Sequence, residues 1–253
     1  MTALLSLVEV TRRFGGVAAL EAVSFDVAGG EIVGLIGPNG AGKTTLLNCI
    51  SGVHRPDHGS IRFAGRELCG LPPHRIARRG IGRTFQVVKP FPSMTVRENT
   101  ALGALYGRGG ARPRVGEAFA HADEVLGTVG LADRGSALVT SLTIPERKRL
   151  EVARALAMRP RLLLLDEVMA GLNPVEVEAA LEVVRLIRAR GITIVLIEHV
   201  MQVIVGVCDR TVVLHRGGVL AQGSPQEVLR DPRVLEAYLG SRYAQQTAES
   251  DDG

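Results

Sequence analysis

The residues Gly37-Pro38-Asn39-Gly40-Ala41-Gly42-Lys43-Thr44-Thr45 satisfy the pattern G-x-x-x-x-G-K-[ST] in full. Glycines at these places let consecutive backbone N–H groups turn inward around an anion with no Cβ in the way. A helix starting at the lysine adds its own unpaired N–H donors and the positive end of its dipole. Lysine at this position reaches the β- and γ-phosphates of a nucleotide, and the hydroxyl after it ligates Mg²⁺. The chemistry indicated is ATP binding with Mg²⁺, through Lys43 and Thr44. A glycine-rich turn could match by chance, so the context matters. Glu31–Ile36 reads as a buried strand before the loop and Lys43–Ile50 as a helix after it, which is the setting the motif requires.

A second constellation lies far downstream, where Leu162-Leu163-Leu164-Leu165 runs into Asp166-Glu167. Ligands of open α/β sheets lie at the carboxyl ends of strands, so both acids are expected to face the nucleotide. Asp166 would orient the Mg²⁺ shell, and Glu167 would polarise the attacking water or hold it in line. Gln86 in Thr84-Phe85-Gln86 and His199 in Ile197-Glu198-His199 are ordinary residues taken singly. Their order relative to the first two constellations raises their interest.

These residues need elements to position them. Apolar runs alternate with helical patterns, which predicts an α/β fold. Arg161–Asp166 and Ile192–Ile197 read as buried strands beside Glu31–Ile36. Short runs at Leu5–Val10, Val23–Val27, Ser60–Ala64 and Thr211–Leu214 suggest a smaller, partly antiparallel sheet. Val177, Leu181, Val184 and Ile187 mark one face of an amphipathic helix ended by Gly191. Ser224-Pro225-Gln226-Glu227 is a capping box with proline at the first helical position, and Asp231-Pro232 opens another short helix closed by Gly240. From about Met94 to Thr140 the chain is Ala-, Gly- and Arg-rich and mostly helical, with a loop around Arg108–Pro113. It reads as a lobe inserted into the core. Residues 241–253 carry no periodicity and read as a frayed tail.

The chain of 253 residues has room for one large domain or two lobes sharing a core. Its net charge of +4 comes from Lys and Arg scattered among nearly as many acids, which is poor evidence for a nucleic-acid binder and fits an anionic small molecule or a lipid surface equally well. Cys49, Cys69 and Cys208 share no metal-ligand spacing and are odd in number, so a reducing compartment is expected. Glu9 interrupts the N-terminal apolar stretch and no cleavage-site pattern follows, so no signal peptide is expected. The longest apolar runs fall far short of the roughly 20 residues that cross a bilayer. Any membrane part must then come from another chain.

With these motifs in this order, residues 5–240 resemble the nucleotide-binding subunits of ABC transporters. The wording Arg13-Phe14-Gly15-Gly16, Arg83-Thr84-Phe85-Gln86, Ala170-Gly171-Leu172-Asn173-Pro174 and Ile197-Glu198-His199 is most similar to branched-chain amino acid importers, although lipopolysaccharide-export ATPases share much of it. The resemblance implies a P-loop NTPase fold. Its RecA-like core carries an antiparallel β subdomain and an inserted α-helical subdomain at about residues 94–158. It implies that Phe14 stacks on adenine, with core packing as the alternative reading. Gln86 would touch Mg²⁺ or the water and sense the membrane partner. His199 would contact the γ-phosphate and place the water near Glu167. Asn173 stands where the family usually has an acid, and Val168 replaces a common proline.

The larger departure is the family's signature loop, commonly Leu-Ser-Gly-Gly-Gln, which here reads Leu142-Thr143-Ile144-Pro145-Glu146. Thr143 keeps a hydroxyl where serine would bind the γ-phosphate. Ile144 and Pro145 remove both glycines, and Glu146 adds a negative charge, although proline and an acid suit a helix start. The resemblance implies a head-to-tail dimer in which each ATP lies between one subunit's phosphate loop and the other's signature loop. A heterodimer with a second ABC ATPase subunit would carry the altered loop at one site, and a homodimer at both. The partners implied are transmembrane permease subunits and, indirectly, a solute-binding protein, with the chain peripheral on the cytoplasmic face of the inner membrane. An exporter subunit, a regulatory partner that hydrolyses weakly, and a soluble ATPase acting on nucleic acid are the alternatives. Long coiled coils or added nucleic-acid modules, which would favour the last, are not in the sequence. The solute is not legible.

Overall fold

The computed structural model describes residues 3–84, 90–107 and 113–239. In chain order these form β1 (Ala3–Phe14), β2 (Val17–Ala28), β3 (Ile32–Ile36), α1 (Lys43–Ile50), β4 (His58–Phe63), β5 (Arg66–Glu67), α2 (Pro73–Arg79), β6 (Ile81–Arg83), α3 (Val96–Tyr106) and α4 (Val115–Thr128). There follow α5 (Ile144–Ala157), β7 (Leu162–Asp166), α6 (Pro174–Ala189), β8 (Thr193–Ile197), α7 (Met201–Val207), β9 (Arg210–His215), β10 (Gly218–Gly223), α8 (Pro225–Arg230) and a helix over 232–239. The chain divides into two compact units, residues 1–70 with 199–253, and residues 71–198. Among the described residues no helix is long and apolar enough to cross a membrane.

The first unit carries an antiparallel sheet in the order β2-β1-β4-β5. Strand β1 pairs with β2 at Leu7↔Phe25 and with β4 at Leu7↔Ile61. Leu5, Leu7, Val23, Val27, Ile61 and Phe63 are buried, the alternation expected of strands with one face on a core. The expectation that Thr211–Leu214 joins this sheet is corrected. Strand β9 pairs in parallel with β3, at Val33↔Arg210 and Ile36↔Val213, and antiparallel with β10. The reason is burial on both faces. Val212, Val213 and Leu214 are all fully buried, so the run is continuous rather than alternating, as in strands covered on both sides.

In the second unit β6, β7 and β8 form a parallel ladder, with Ile81↔Leu162 and Leu162↔Thr193 in register. Every residue of β7 and β8 is buried, which explains why both read as unbroken apolar runs. Helices α3, α4 and α5 pack on one another. Capping boxes fix where α3 and α5 begin, Thr95 with Glu98 and Thr143 with Glu146. Helix α6 buries Leu181, Val184 and Ile187, whereas Val177 in its first turn is half-buried. The predicted loop around residues 108–113 falls mostly outside the described residues, as do Gly240 and the tail 241–253.

Candidate nucleotide site

In the first unit β3, buried at all five positions, delivers the chain to Gly37. Gly37 has φ 149°, and a Cβ there would lie 2.1 Å from the Leu214 carbonyl oxygen. Gly42 has φ 104°, and its Cβ would lie 2.4 Å from the Ala19 carbonyl oxygen. Both positions therefore admit only glycine, and they thread the loop between backbone segments of β9 and β2. Within it Ala41 N–H donates to Pro38 O at 3.2 Å, and Gly217 N–H donates to Ala41 O at 3.1 Å.

Helix α1 starts on Gly42 with no capping side chain and no acid in its first turn. By contrast α3, α5, α6 and α8 all begin with capping boxes. The start of α1 thus keeps its positive end uncompensated by side chains, the condition an anion site requires. Lys43 is buried, and its ammonium donates to Gly37 O at 2.6 Å and Pro38 O at 3.0 Å. Thr44 is exposed and Thr45 half-buried. A cleft of about 670 Å³ is lined by residues 38–41 together with His215, Arg216, Arg233 and Glu236.

Phe14 also belongs to the first unit and is 43% exposed, so the core-packing alternative does not hold. The Arg12 guanidinium stands 4.8 Å from its ring centroid, and the His54 ring meets it edge-on at 5.2 Å. Asp57 holds this corner by accepting from Arg12 Nη1 and from the Arg13 N–H, both at 2.7 Å. The Arg13 N–H is the main reason the Asp57 carboxyl lies below its ordinary range. His199 is exposed, two residues before α7.

In the second unit β7 ends on Asp166, which is buried at 2% exposure. Its Oδ2 accepts from Arg83 Nη2 at 3.1 Å, and its N–H donates to Thr84 Oγ1 at 3.0 Å. Burial pushes the Arg83 guanidinium pKa down while the Asp166 charge opposes it. Glu167 follows in the left-handed region at φ 52°, with its N–H donated to Ile197 O at 3.0 Å. Met169 N–H donates to the buried Glu198 carboxylate at 2.8 Å, and Lys148 Nζ donates to Ala170 O. Asn173, in place of the family's usual acid, is the N-cap of α6 and accepts from Glu176 N–H at 3.0 Å. Asn caps as well as Asp, so the exchange is neutral for the helix.

The altered loop has a different character from the phosphate loop. Thr143 is the N-cap of α5, and its hydroxyl donates to Glu146 Oε2 at 3.0 Å and accepts from Glu146 N–H at 3.4 Å. The Thr143 N–H donates to the same carboxylate at 2.8 Å, and Arg134 Nε lies 3.1 Å from Glu146 Oε1. The helix start thus carries its own anion, and the hydroxyl expected to meet a phosphate is engaged within the chain. The Thr143 N–H is the chief cause of a lowered Glu146 pKa. Gln86 lies outside the described residues. Sequence reasoning did not single out Arg83, Thr84, Lys148 or Glu198 as functional. The available signal was adjacency, since Arg83 and Thr84 precede Gln86 and Glu198 precedes His199.

The sequence profile of the ABC transporter family matches residues 20–170. The chain belongs to that family. It is an ATP-binding cassette of the α/β P-loop class and an ATPase, as the family is. A second profile, that of the branched-chain amino acid ATP-binding cassette transporter, matches residues 219–244. The cassette is 39% identical over 243 residues to the high-affinity branched-chain amino acid transport ATP-binding protein BraF of Pseudomonas aeruginosa, covering 91% of this chain and 95% of the relative. It is 40% identical over 249 residues to LivG of Salmonella typhimurium, covering 94% and 98%. The lipopolysaccharide export system ATP-binding protein LptB of Acidithiobacillus ferridurans is also 40% identical, covering 87% of this chain and 90% of its own. Among solved structures, the ADP conformation of an ATP-binding cassette of an ABC transporter superposes with a TM-score of 0.87 at 30% identity, covering 95% of this chain and 100% of that one.

Proposed function

We propose that this cassette is the ATP-hydrolysing subunit of an importer for branched-chain amino acids or a related small polar solute. It would work peripherally on the cytoplasmic face of the inner membrane, through separate permease subunits fed by a solute-binding protein. The observation that carries this reading is the match of residues 219–244 to the branched-chain transporter profile. That segment lies outside the part shared with ABC cassettes in general, residues 20–170.

In this reading residues 37–45 wrap the phosphates, with Lys43 turning from its loop carbonyls to the β- and γ-phosphates, and the exposed Phe14 ring stacks on adenine. Thr44, Gln86 and Asp166 are all oxygen donors, a set that suits Mg²⁺, and they would hold it. When bound, the ion neutralises phosphate charge. Glu167 polarises the attacking water, and His199 holds that water and the γ-phosphate in place.

The cassette would pair with a second, different ATPase subunit. What supports this is the start of α5, where Glu146 occupies the donors of Thr143 and presents a carboxylate to any incoming phosphate. The phosphate loop and Glu167 of this chain would then serve a competent site, and its altered loop a weakened one. Pairing with itself would weaken both. The same loop favours one further reading, a regulatory subunit that binds ATP and hydrolyses it weakly. Reconstitution of the complex in proteoliposomes tests the proposal. ATP-driven uptake of leucine, lost when this chain alone carries Glu167→Gln, is the expected result. Full uptake with that substitution would assign the work to the partner and overturn the reading.

A further inference from the structure

The segment that follows β7 carries the one acid read as acting on water, and its backbone is held in an unusual way. Glu167 has φ 52°, a left-handed conformation that non-glycine residues keep only where their surroundings enforce it. Upstream, the Glu167 N–H is fixed by Ile197 O at 3.0 Å. Downstream, Ala170 N–H closes a turn onto Glu167 O at 3.3 Å, a weak bond by its length. Two side chains complete the restraint. Glu198, 1% exposed, accepts from Met169 N–H at 2.8 Å through Oε1. Lys148, reaching from α5, donates to Ala170 O.

We propose that Glu198 and Lys148 are positioning residues that clamp the backbone of residues 169–170 and so aim the Glu167 carboxylate for hydrolysis. The two act on successive residues, one on an N–H and the other on a C=O. Their grip therefore fixes the two flanking peptide planes, Val168–Met169 and Ala170–Gly171, while the Ala170 N–H bond to Glu167 O holds the plane between them. The Met169 side chain is itself buried at 1% exposure, so the clamped segment has packing beneath it. Burial lowers the Lys148 pKa, while the charges of Glu198 and Glu167 both favour its ammonium form. The same lysine thus feels both the Glu167 carboxylate of the segment it holds and that of Glu198, which holds the segment with it. The inference rests on the reading of Glu167 as the residue that polarises water.

The test compares variants of this chain within its complex with partner subunits, measuring kcat and KM for ATP together with nucleotide affinity. Glu198→Ala should lower kcat at least tenfold while KM and ATP affinity stay within twofold. Glu198→Gln keeps an oxygen acceptor for the Met169 N–H and should recover kcat to within about threefold of the parent. Hydrogen exchange at the Met169 amide should quicken in Glu198→Ala and stay slow in Glu198→Gln. Lys148→Met, which leaves Glu198 and its neighbour His199 in place, should lower kcat with the same unchanged KM. It also serves if Glu198→Ala does not fold. Parental kcat in Glu198→Ala or in Lys148→Met, or a loss in Glu198→Gln equal to that in Glu198→Ala, would overturn the proposal. Glu167→Gln run in parallel separates the two levels. If it retains turnover, the reading of Glu167 fails. If it is inactive while Glu198→Ala is normal, only the clamp fails.

Discussion

The pair formed by Arg83 and Asp166 allows a worked prediction, because both side chains are nearly sealed from water, at 6% and 1% exposure. Exposed ion pairs contribute about 0–1 kcal/mol, but removing one partner of a buried pair strands the other charge and costs about 3–5 kcal/mol. Arg83→Met should therefore destabilise the second unit by about 4 kcal/mol. At about 2–4 °C per kcal/mol for a chain of this size, the melting temperature should fall by about 8–16 °C. Adding Asp166→Asn removes the carboxylate charge that has lost its arginine. It leaves the Asp166 N–H on Thr84 Oγ1 and the β7 register with β6 in place. The double variant should then be more stable than Arg83→Met alone, recovering about half the loss or more. Thermal unfolding of the parent, both single variants and the double variant in nucleotide-free buffer measures the cycle. A melting temperature for Arg83→Met within about 2 °C of the parent would refute the reasoning, as would strict additivity of the two changes.

Three further outcomes follow from local geometry. Gly42→Ala would place its Cβ 2.4 Å from Ala19 O and 2.9 Å from Leu20 Cδ2 at φ 104°. Overpacking plus backbone strain should cost about 2–4 kcal/mol, and a parental melting temperature would show the loop adapts freely. Thr143→Ala removes the α5 cap and should cost about 1 kcal/mol in urea unfolding, with Thr143→Ser close to the parent. An alanine variant as stable as the parent would mean that the cap does not hold the helix start. Burial pushes the Glu67 pKa up, but bonds from the Ser60 hydroxyl, the Cys69 thiol and N–H and the Ile61 N–H outweigh it, taking it from 4.5 to about 2. A lowered folded-state value means that its stabilisation is complete above about pH 4.5 and is lost as pH falls towards 2. Urea midpoints should drop more steeply over that window for the parent than for Glu67→Gln, and parallel curves would contradict the assignment.

What could be read from the chain was what is local in it. The phosphate loop is legible because its constraint is a dense run of residue types, and the structure shows why two of those types are forced, at Gly37 and Gly42. Strands β7 and β8 are legible because burial on both faces writes an unbroken apolar run. The same signal was misplaced for β9, since a short apolar run says that a strand is buried without saying which neighbour it pairs with. The supporting shell was the least legible. Arg83 meets Asp166 across 83 residues, and Glu198 meets Met169 across 29. No periodicity or motif connects such pairs before the strands align. Exposure of Phe14 was equally beyond the sequence, because an aromatic after an alternating strand fits a core and a surface alike. The altered loop at Thr143–Glu146 was legible twice over, as a departure from the family and as a helix start, and the geometry joins the two. The side chains that make it a good cap occupy the donors a phosphate would use.

The central claim is that this chain holds ATP on residues 37–45 and hydrolyses it with Glu167. The most direct measurement is single-turnover hydrolysis of Mg²⁺-ATP by the assembled complex, with nucleotide occupancy followed in the same sample, for the parent and for Glu167→Gln in this chain alone. The account predicts that the variant fills its site as the parent does and retains ATP uncleaved there. Cleavage at the parental rate from the variant's filled site, or failure of the parent to bind ATP at all, would contradict it.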